Sequence, residues 1–200
     1  MTFLSIFSRG LTNGYRIDRK FLHETRTANG QTPLKNAQVN AVIDRVWASQ
    51  SYPEDGGPRA NPDGDPADYA DYGFSIFPAQ GDLIYLLCRA IRANRVVEFA
   101  TSVGFSTLYF AAAMRDNGGG TVIGSELVPS KVATARQNIA EAGLSSYVDI
   151  REGDGRQTLK DLGGPVDFAL IDQSLVVCAS YGFGQLLETQ IGDDIRHRPI

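Results

Sequence analysis

Residues 95–113 read RVVEFATSVGFSTLYFAAA, and the rest of the chain is organised around them. The stretch opens with an apolar, β-branched run, Val96 and Val97, followed by Glu98, Phe99 and Ala100. Four small or β-branched residues, Thr101, Ser102, Val103 and Gly104, form a tight loop. After Phe105 and Ser106 the pattern turns helical, with Leu108, Ala111 and Ala112 on one repeating face. Strand, small-residue loop and helix make the first half of a βαβ unit. The free N–H groups and positive dipole end at the start of such a helix attract an anionic group. Gly104 would let a ligand approach the backbone with no Cβ in the way. Any βα turn shares these traits, so the loop alone leaves ligand binding and plain connection equally open.

The following segments narrow the choice. Thr121-Val122-Ile123-Gly124-Ser125 reads as a second strand ended by Glu126. A carboxylate there, some twenty residues past the glycine loop, is placed to accept hydrogen bonds from ribose hydroxyls, so a nucleoside is the expected ligand class. Residues 129–142 read as a helix whose apolar stripe is Val132, Ala135, Ile139 and Ala142, stopped by Gly143. Val148 to Arg151 predicts a third strand, with Glu152-Gly153-Asp154-Gly155 at its carboxyl end, and Val166 to Ile171 a fourth, ending in Asp172. This spacing predicts a doubly wound sheet with acidic or small residues at successive strand ends, where such folds place ligands.

Composition excludes several alternatives. A chain of 200 residues, 42% hydrophobic and 21% charged, suits one globular unit with a sizeable core. A net charge of −4 lacks the basic surface that phosphate neutralisation needs, so no nucleic-acid partner is expected. No apolar run is long enough to span a bilayer. The opening MTFLSIFSRG has neither the basic start nor the cleavage site of a signal peptide, and a cytoplasmic location with no membrane partner is expected. Cys88 and Cys178 are too few and too distant for a zinc site or redox pair, and they read as buried thiols. His23 and His197 make no catalytic case. Gly104-Phe105-Ser106-Thr107-Leu108 lacks the final glycine of a nucleophile elbow.

Taken in order, residues 1–30 are weakly patterned, with Arg16, Arg19, Lys20 and Arg26 as a solvated basic face. Residues 33–48 predict an amphipathic helix, Pro33 in its first turn and Val39, Val42, Ile43, Val46 and Trp47 on its apolar face. The Pro-, Gly- and Asp-rich run at 51–73 predicts a flexible loop, with Tyr69 and Tyr72 on its surface. From Pro78 a further helix is expected to bury Leu83, Ile84, Leu86, Leu87, Ala90 and Ile91. In the tail, Ser174 to Cys178 is strand-like but starts too soon after Asp172 to be a parallel neighbour of the fourth strand.

The runs VVEFATSVGFSTLYFA, VIGSELVPSKVATARQNI, REGDGRQTL and VDFALID resemble motifs of class I S-adenosylmethionine-dependent methyltransferases. The similarity is to the catechol O-methyltransferase-like branch that acts on small molecules, and it covers roughly residues 76–172 in four ordered motifs. It implies an α/β, Rossmann-like, doubly wound and mostly parallel sheet with N-terminal helices. By position, Glu98 and the backbone of Ala100 to Ser102, with Gly104, would surround the methionine part of S-adenosyl-L-methionine, and Ser106 would meet its carboxylate. Glu126 would hold the ribose, while Asp154 and Gly155 would border the adenine. Asp172 matches an acidic catalytic residue that in metal-dependent relatives is one ligand of a divalent ion; Mg²⁺ belongs to the complete family site, and no metal ligand set is assigned here.

The chain departs from the family in three places. Ala100 stands where the family carries glycine, a change the backbone tolerates at negative φ. Gln173-Ser174-Leu175 replaces a Trp-Lys-Asp-like run that includes a catalytic lysine. The family's C-terminal strands have no recognisable counterpart. The implied layout is an N-terminal cover at 1–75, a cofactor-binding unit at 76–172 and an atypical tail at 173–200. The expected function is methyl transfer to a hydroxyl of a small molecule, by a homodimer. The rivals are a catalytically impaired cofactor-binding or interaction protein and, weakened by the absence of G-x-G-x-x-G, an NAD-dependent oxidoreductase. Missing C-terminal strands would expose the fourth strand's edge, giving weak cofactor binding, poor turnover and self-association.

Overall fold

Four short strands, each rich in β-branched or aromatic residues, pair in parallel to form the sheet. The computed structural model describes residues 32–51, 64–73 and 75–171. Strand β1 is Arg95–Phe99, β2 Thr121–Glu126, β3 Val148–Glu152 and β4 Phe168–Ile171, in the spatial order β3-β2-β1-β4. Val97 aligns with Ile123 on one side and Ala169 on the other. Strand order reverses between β1 and β4, and in open α/β sheets ligands bind outside the carboxyl ends of the strands at such a switch point. The cofactor-binding positions expected from the sequence lie at or just beyond the carboxyl ends of β1, β2 and β3.

The helices are α1 Ala37–Ala48, α2 Pro78–Ala90, α3 Phe105–Asp116, α4 Pro129–Glu141 and the single turn α5 Gly155–Thr158. Alternation along the strands sorts the two faces. Val96, Val122, Ile150, Phe168 and Leu170 join one large cluster with the apolar sides of α1 to α4. Val97, Ile123 and Ala169 form a smaller one with Leu159 and Val166, which lie on the β3-to-β4 crossover. Crossovers on opposite faces make the fold doubly wound, as expected. At the amino end of the sheet, Asp167 accepts hydrogen bonds from the N–H groups of Asn94 and Arg95, at 2.8 and 3.1 Å, and fixes where β4 starts beside β1.

Several expectations need correction. The first helix starts at Ala37 rather than Pro33: Asn36 is the cap, its side chain accepting from Val39 N–H at 2.9 Å, so Pro33 lies ahead of the helix. The five residues expected on its apolar face are all buried. In α2 the buried face is Pro78, Gly81, Ile84, Tyr85 and Cys88, whereas Leu83, Leu86 and Ile91 are 42–49% exposed. The reason is a small residue. A Cβ on Gly81 would lie 2.3 Å from the Tyr109 ring, so glycine lets α2 sit down on α3 and turns the leucines outward. The fourth strand begins at Phe168, two residues later than expected, because Val166 belongs to the crossover cluster. Part of the 51–73 run is ordered too: Asp65 caps a 3₁₀ turn, Pro66–Tyr69, by accepting from Ala67 N–H, and Tyr69 is buried. The strand-like tail at 174–178 lies outside the described residues.

The Gly81 contact gives a signed prediction. At an exposed helix position, Gly→Ala stabilises by about 1 kcal/mol. Here overpacking against Tyr109 should outweigh that gain, so Gly81→Ala is expected to destabilise by roughly 1–3 kcal/mol in urea unfolding. An unchanged or raised midpoint would show that the α2–α3 contact does not depend on glycine.

Candidate functional site

The loop from Ala100 to Gly104 leaves β1 and turns back over β2 before α3 begins. Thr101 N–H donates to Ser125 O at 3.0 Å, and Gly104 N–H to Thr101 O at 3.0 Å. Three alternate residues sit in the left-handed region: Ala100 (φ 63°), Ser102 (φ 52°) and Gly104 (φ 82°). Glycine adopts this freely, whereas each L-residue there costs roughly 1–2 kcal/mol. Ala100 therefore does not meet the negative-φ condition set for it from the sequence; its strain is held by the bonds on either side of it.

Glu126 supplies the strongest of these restraints. Its Oε2 accepts from Ser102 N–H at 2.7 Å and its Oε1 from Val128 N–H at 2.9 Å. One buried carboxylate thus joins the end of β2, the loop after β1 and the turn before α4. Gly124 makes room for the loop: a Cβ there would lie 2.3 Å from Thr101 Oγ1. The Thr101 and Ser102 hydroxyls are buried and have no hydrogen-bond partner among the described residues. Buried polar atoms of this kind call for a ligand or water.

Glu98, 1% exposed, points to the same corner. Its carboxylate accepts from the hydroxyls of Ser106 and Thr107, the latter at 2.5 Å. Ser106 is thus tied to Glu98, and the two expected site residues are brought together. The first i→i−4 bond of α3, Leu108 N–H to Gly104 O at 3.1 Å, leaves the earlier N–H groups of that helix for other acceptors.

On the other face, Ser125 Oγ lies 2.9 Å from Thr158 Oγ1, and a Cβ on Gly155 would meet the Phe99 ring at 2.4 Å. Gly155 is needed for α5 to close on β1. Asp154 caps α5 by accepting from Arg156 N–H and pairs with the Arg156 side chain, whose hydrogen bonds hold its carboxyl below the usual carboxylate range. Glu98, Ala100, Ser102, Gly104, Ser106, Glu126, Asp154 and Gly155 all lie at or just beyond the carboxyl ends of β1, β2 and β3. Asp172 lies outside the described residues.

The sequence reading missed Thr107, the Thr101 hydroxyl and Lys131. Thr107 follows Ser106 on the same helical turn, a signal available from spacing. Lys131 is 5% exposed; burial lowers its pKa, opposed by the nearby charge of Glu126. Nothing in its sequence context separates it from a surface lysine. The strained loop yields a prediction: Ala100→Gly should raise stability by up to about 1 kcal/mol, the left-handed strain relieved less the extra chain entropy of glycine. Thermal unfolding measures it, and a loss of stability would mean that the alanine methyl supports the loop by packing.

Comparison with known proteins fits this geometry. Residues 97–180 match a family described as "Methyltransferase domain". The chain is 37% identical over 102 residues to a catechol O-methyltransferase of Niastella koreensis, covering 49% of this chain and 45% of that protein. It is 38% identical over 99 residues to a catechol O-methyltransferase of Mycobacterium tuberculosis, with 49% and 44% covered. The chain thus spans about half the length of the curated relatives it matches. Among solved structures, an SAH-bound methyltransferase from Podospora anserina superposes with a TM-score of 0.61 at 17% identity, over 90% of this chain and 67% of that one. The O-methyltransferase from Bacillus cereus, in complex with SAH, gives 0.57 at 22% identity, over 82% and 66%. Sheet order and the clamped loop after β1 accord with these matches: residues 97–180 resemble a methyltransferase domain, about half of the chain resembles catechol O-methyltransferases, and the fold is the Rossmann-like one of the solved methyltransferases.

Proposed function

We propose that this chain binds S-adenosyl-L-methionine across the carboxyl ends of β1, β2 and β3 and directs its methyl group to a hydroxyl of a small molecule. The observation that carries the reading is the loop at 100–104, strained at Ala100 and Ser102 and clamped by Glu126, with two buried hydroxyls that lack partners among the described residues. The residues suit the cofactor. Gly104 and the Thr101 and Ser102 hydroxyls offer close backbone approach and hydrogen-bonding atoms to an amino-acid end. Glu126 keeps acceptor lone pairs for ribose hydroxyls after its two backbone bonds. Glu98, Ser106 and Thr107 form the wall below, and Asp154 with Gly155 borders the base. When bound, the cofactor supplies an electrophilic sulfonium methyl. The chain's own residues contribute by orientation, holding that group in line with an acceptor oxygen.

The acceptor side rests on Asp172, the residue after Ile171 at the end of β4, as an acidic group that orients the hydroxyl, with Mg²⁺ as its partner in the complete family site. Curated relatives named catechol O-methyltransferase favour a small aromatic acceptor. Among the described residues no helix is long and apolar enough to cross a membrane. A cytoplasmic homodimer completes the reading, supported by Leu83, Leu86 and Ile91 standing half-exposed on and just beyond α2.

Calorimetry with S-adenosylhomocysteine, with NADH as the comparison, tests the cofactor. Glu126→Gln leaves one carbonyl oxygen where two carboxylate oxygens each held an N–H, and binding should weaken by roughly 1.5–3 kcal/mol. Preferential binding of NADH, or parental affinity in the variant, would refute the assignment. For assembly, sedimentation velocity should give a dimer that Leu83→Glu converts to monomer, because a charge cannot be buried unpaired in an apolar contact. A monomeric parent would remove the dimer from the reading.

A further inference from the structure

We propose that Asn138 and Arg45 are positioning residues for the cofactor loop, forming a strut through which α1 sets the loop's geometry. The inference rests on reading that loop as the S-adenosylmethionine site. Asn138 lies on α4 and is 3% exposed. Its Nδ2 donates to the carbonyl of Val103, inside the loop, at 2.8 Å, while its Oδ1 accepts from Arg45 Nη2 of α1 at 2.9 Å. A carboxamide has one donor and one acceptor end, so the two bonds together fix its orientation. Arg45 is held in turn by Glu141, one turn further along α4, through Nη2 at 2.6 Å and Nε at 3.3 Å. The order is therefore Glu141, Arg45, Asn138, Val103, and it ends between the strained Ser102 and Gly104.

Two packing contacts act at the same place. A Cβ on Gly104 would meet Ala135 Cβ at 3.2 Å, so the loop is pressed against α4 one turn before Asn138. Trp47 of α1 touches Phe105, the residue after the loop, with ring centroids 5.7 Å apart. Helix α1 therefore grips the loop from both sides: by apolar contact at Phe105 and through the amide of Asn138 at Val103. The Arg45–Glu141 pair is half-exposed and adds little stability by itself. Its role is geometric. Arginine carries two forked donors and can serve Glu141 and Asn138 at once, which lysine's point charge cannot reproduce with the same orientation.

Asn138→Asp is the informative change. The carboxylate would still accept from Arg45, but it has no N–H for Val103 and would turn a lone pair towards that carbonyl. Arg45→Met, at the half-exposed end, removes the orienting donor and leaves Asn138 in place, so it covers the case in which the buried charge prevents folding. Gln38→Ala serves as control, since Gln38 also bonds across from α1 to α4, to the backbone carbonyl of Glu141 at 2.6 Å, and not to the side chains that form the strut. Amide hydrogen exchange on the full chain without cofactor, and calorimetry with S-adenosylhomocysteine, are the readouts. Asn138→Asp should speed exchange at 100–106 on the order of tenfold and weaken binding by a similar factor. Arg45→Met should move both the same way by less, and Gln38→Ala should move neither. Rescue by Arg45→Lys should be incomplete. Parental exchange of the loop in Asn138→Asp and Arg45→Met would overturn the strut, as would faster exchange with unchanged affinity or an equal loss in Gln38→Ala. If the parent chain binds no S-adenosylhomocysteine, the cofactor reading fails, and the exchange comparison still decides whether the strut sets the loop.

Discussion

The site depends on one carboxylate accepting two backbone N–H groups. Glu126 bonds Ser102 with one oxygen and Val128 with the other. Charge-assisted hydrogen bonds of this kind are about twice as strong as neutral ones. They draw together the loop after β1 and the turn before α4, which local preference would leave apart, since Ala100 and Ser102 occupy a region that L-residues avoid. The strain is small beside the restraints, which also include Thr101 to Ser125, Gly104 against Ala135 and Asn138 to Val103. A loop so constrained keeps its backbone donors in place before any ligand arrives, which lowers the entropy lost on binding.

Packing decides how close the elements come, and it does so through small residues. Gly81 seats α2 on the Tyr109 ring, Gly124 admits Thr101 over β2, and Gly155 admits the Phe99 ring beside α5. Each is a place where a methyl group would collide with an atom less than 2.5 Å away. Close-packed interiors have no slack to absorb such a collision. The two sheet faces differ in consequence. The α1–α4 face carries a continuous core, whereas the opposite face, under the β3-to-β4 crossover, holds a smaller cluster around Val97, Ile123 and Ala169.

Buried polar groups are concentrated at the carboxyl edge of the sheet, where Glu98, Thr101, Ser102, Thr107, Glu126 and Lys131 are all buried. Most of them have partners that cross between elements. A buried polar network rigidifies a site when its members are satisfied, and any left unsatisfied mark where a ligand would fit. The Thr101 and Ser102 hydroxyls are in that second group. This arrangement supports the reading of the edge as the cofactor's seat more directly than any single motif.

The sequence by itself determined the order of strands and helices and most of the residues at the strand ends. Alternating and helical periodicities are local, and a carboxylate after β2 is visible as Glu126 without coordinates. It also determined the apolar face of α1, whose five members repeat at helical spacing. Only the tertiary structure decided the rest, because each remaining feature depends on what an element meets. The face of α2 was misread because Leu83 and Leu86 carry the stronger hydrophobic signal, yet the partner surface is set by Gly81 against Tyr109, distant in sequence. The positive φ of Ala100 was not legible because its conformation is imposed by its neighbours' bonds and not by its own preference. Lys131 and Asn138 read as ordinary helix residues until α4 is packed against the loop. A hydrogen bond spanning 35 residues, such as that from Asn138 to Val103, leaves no mark in the local pattern of either end.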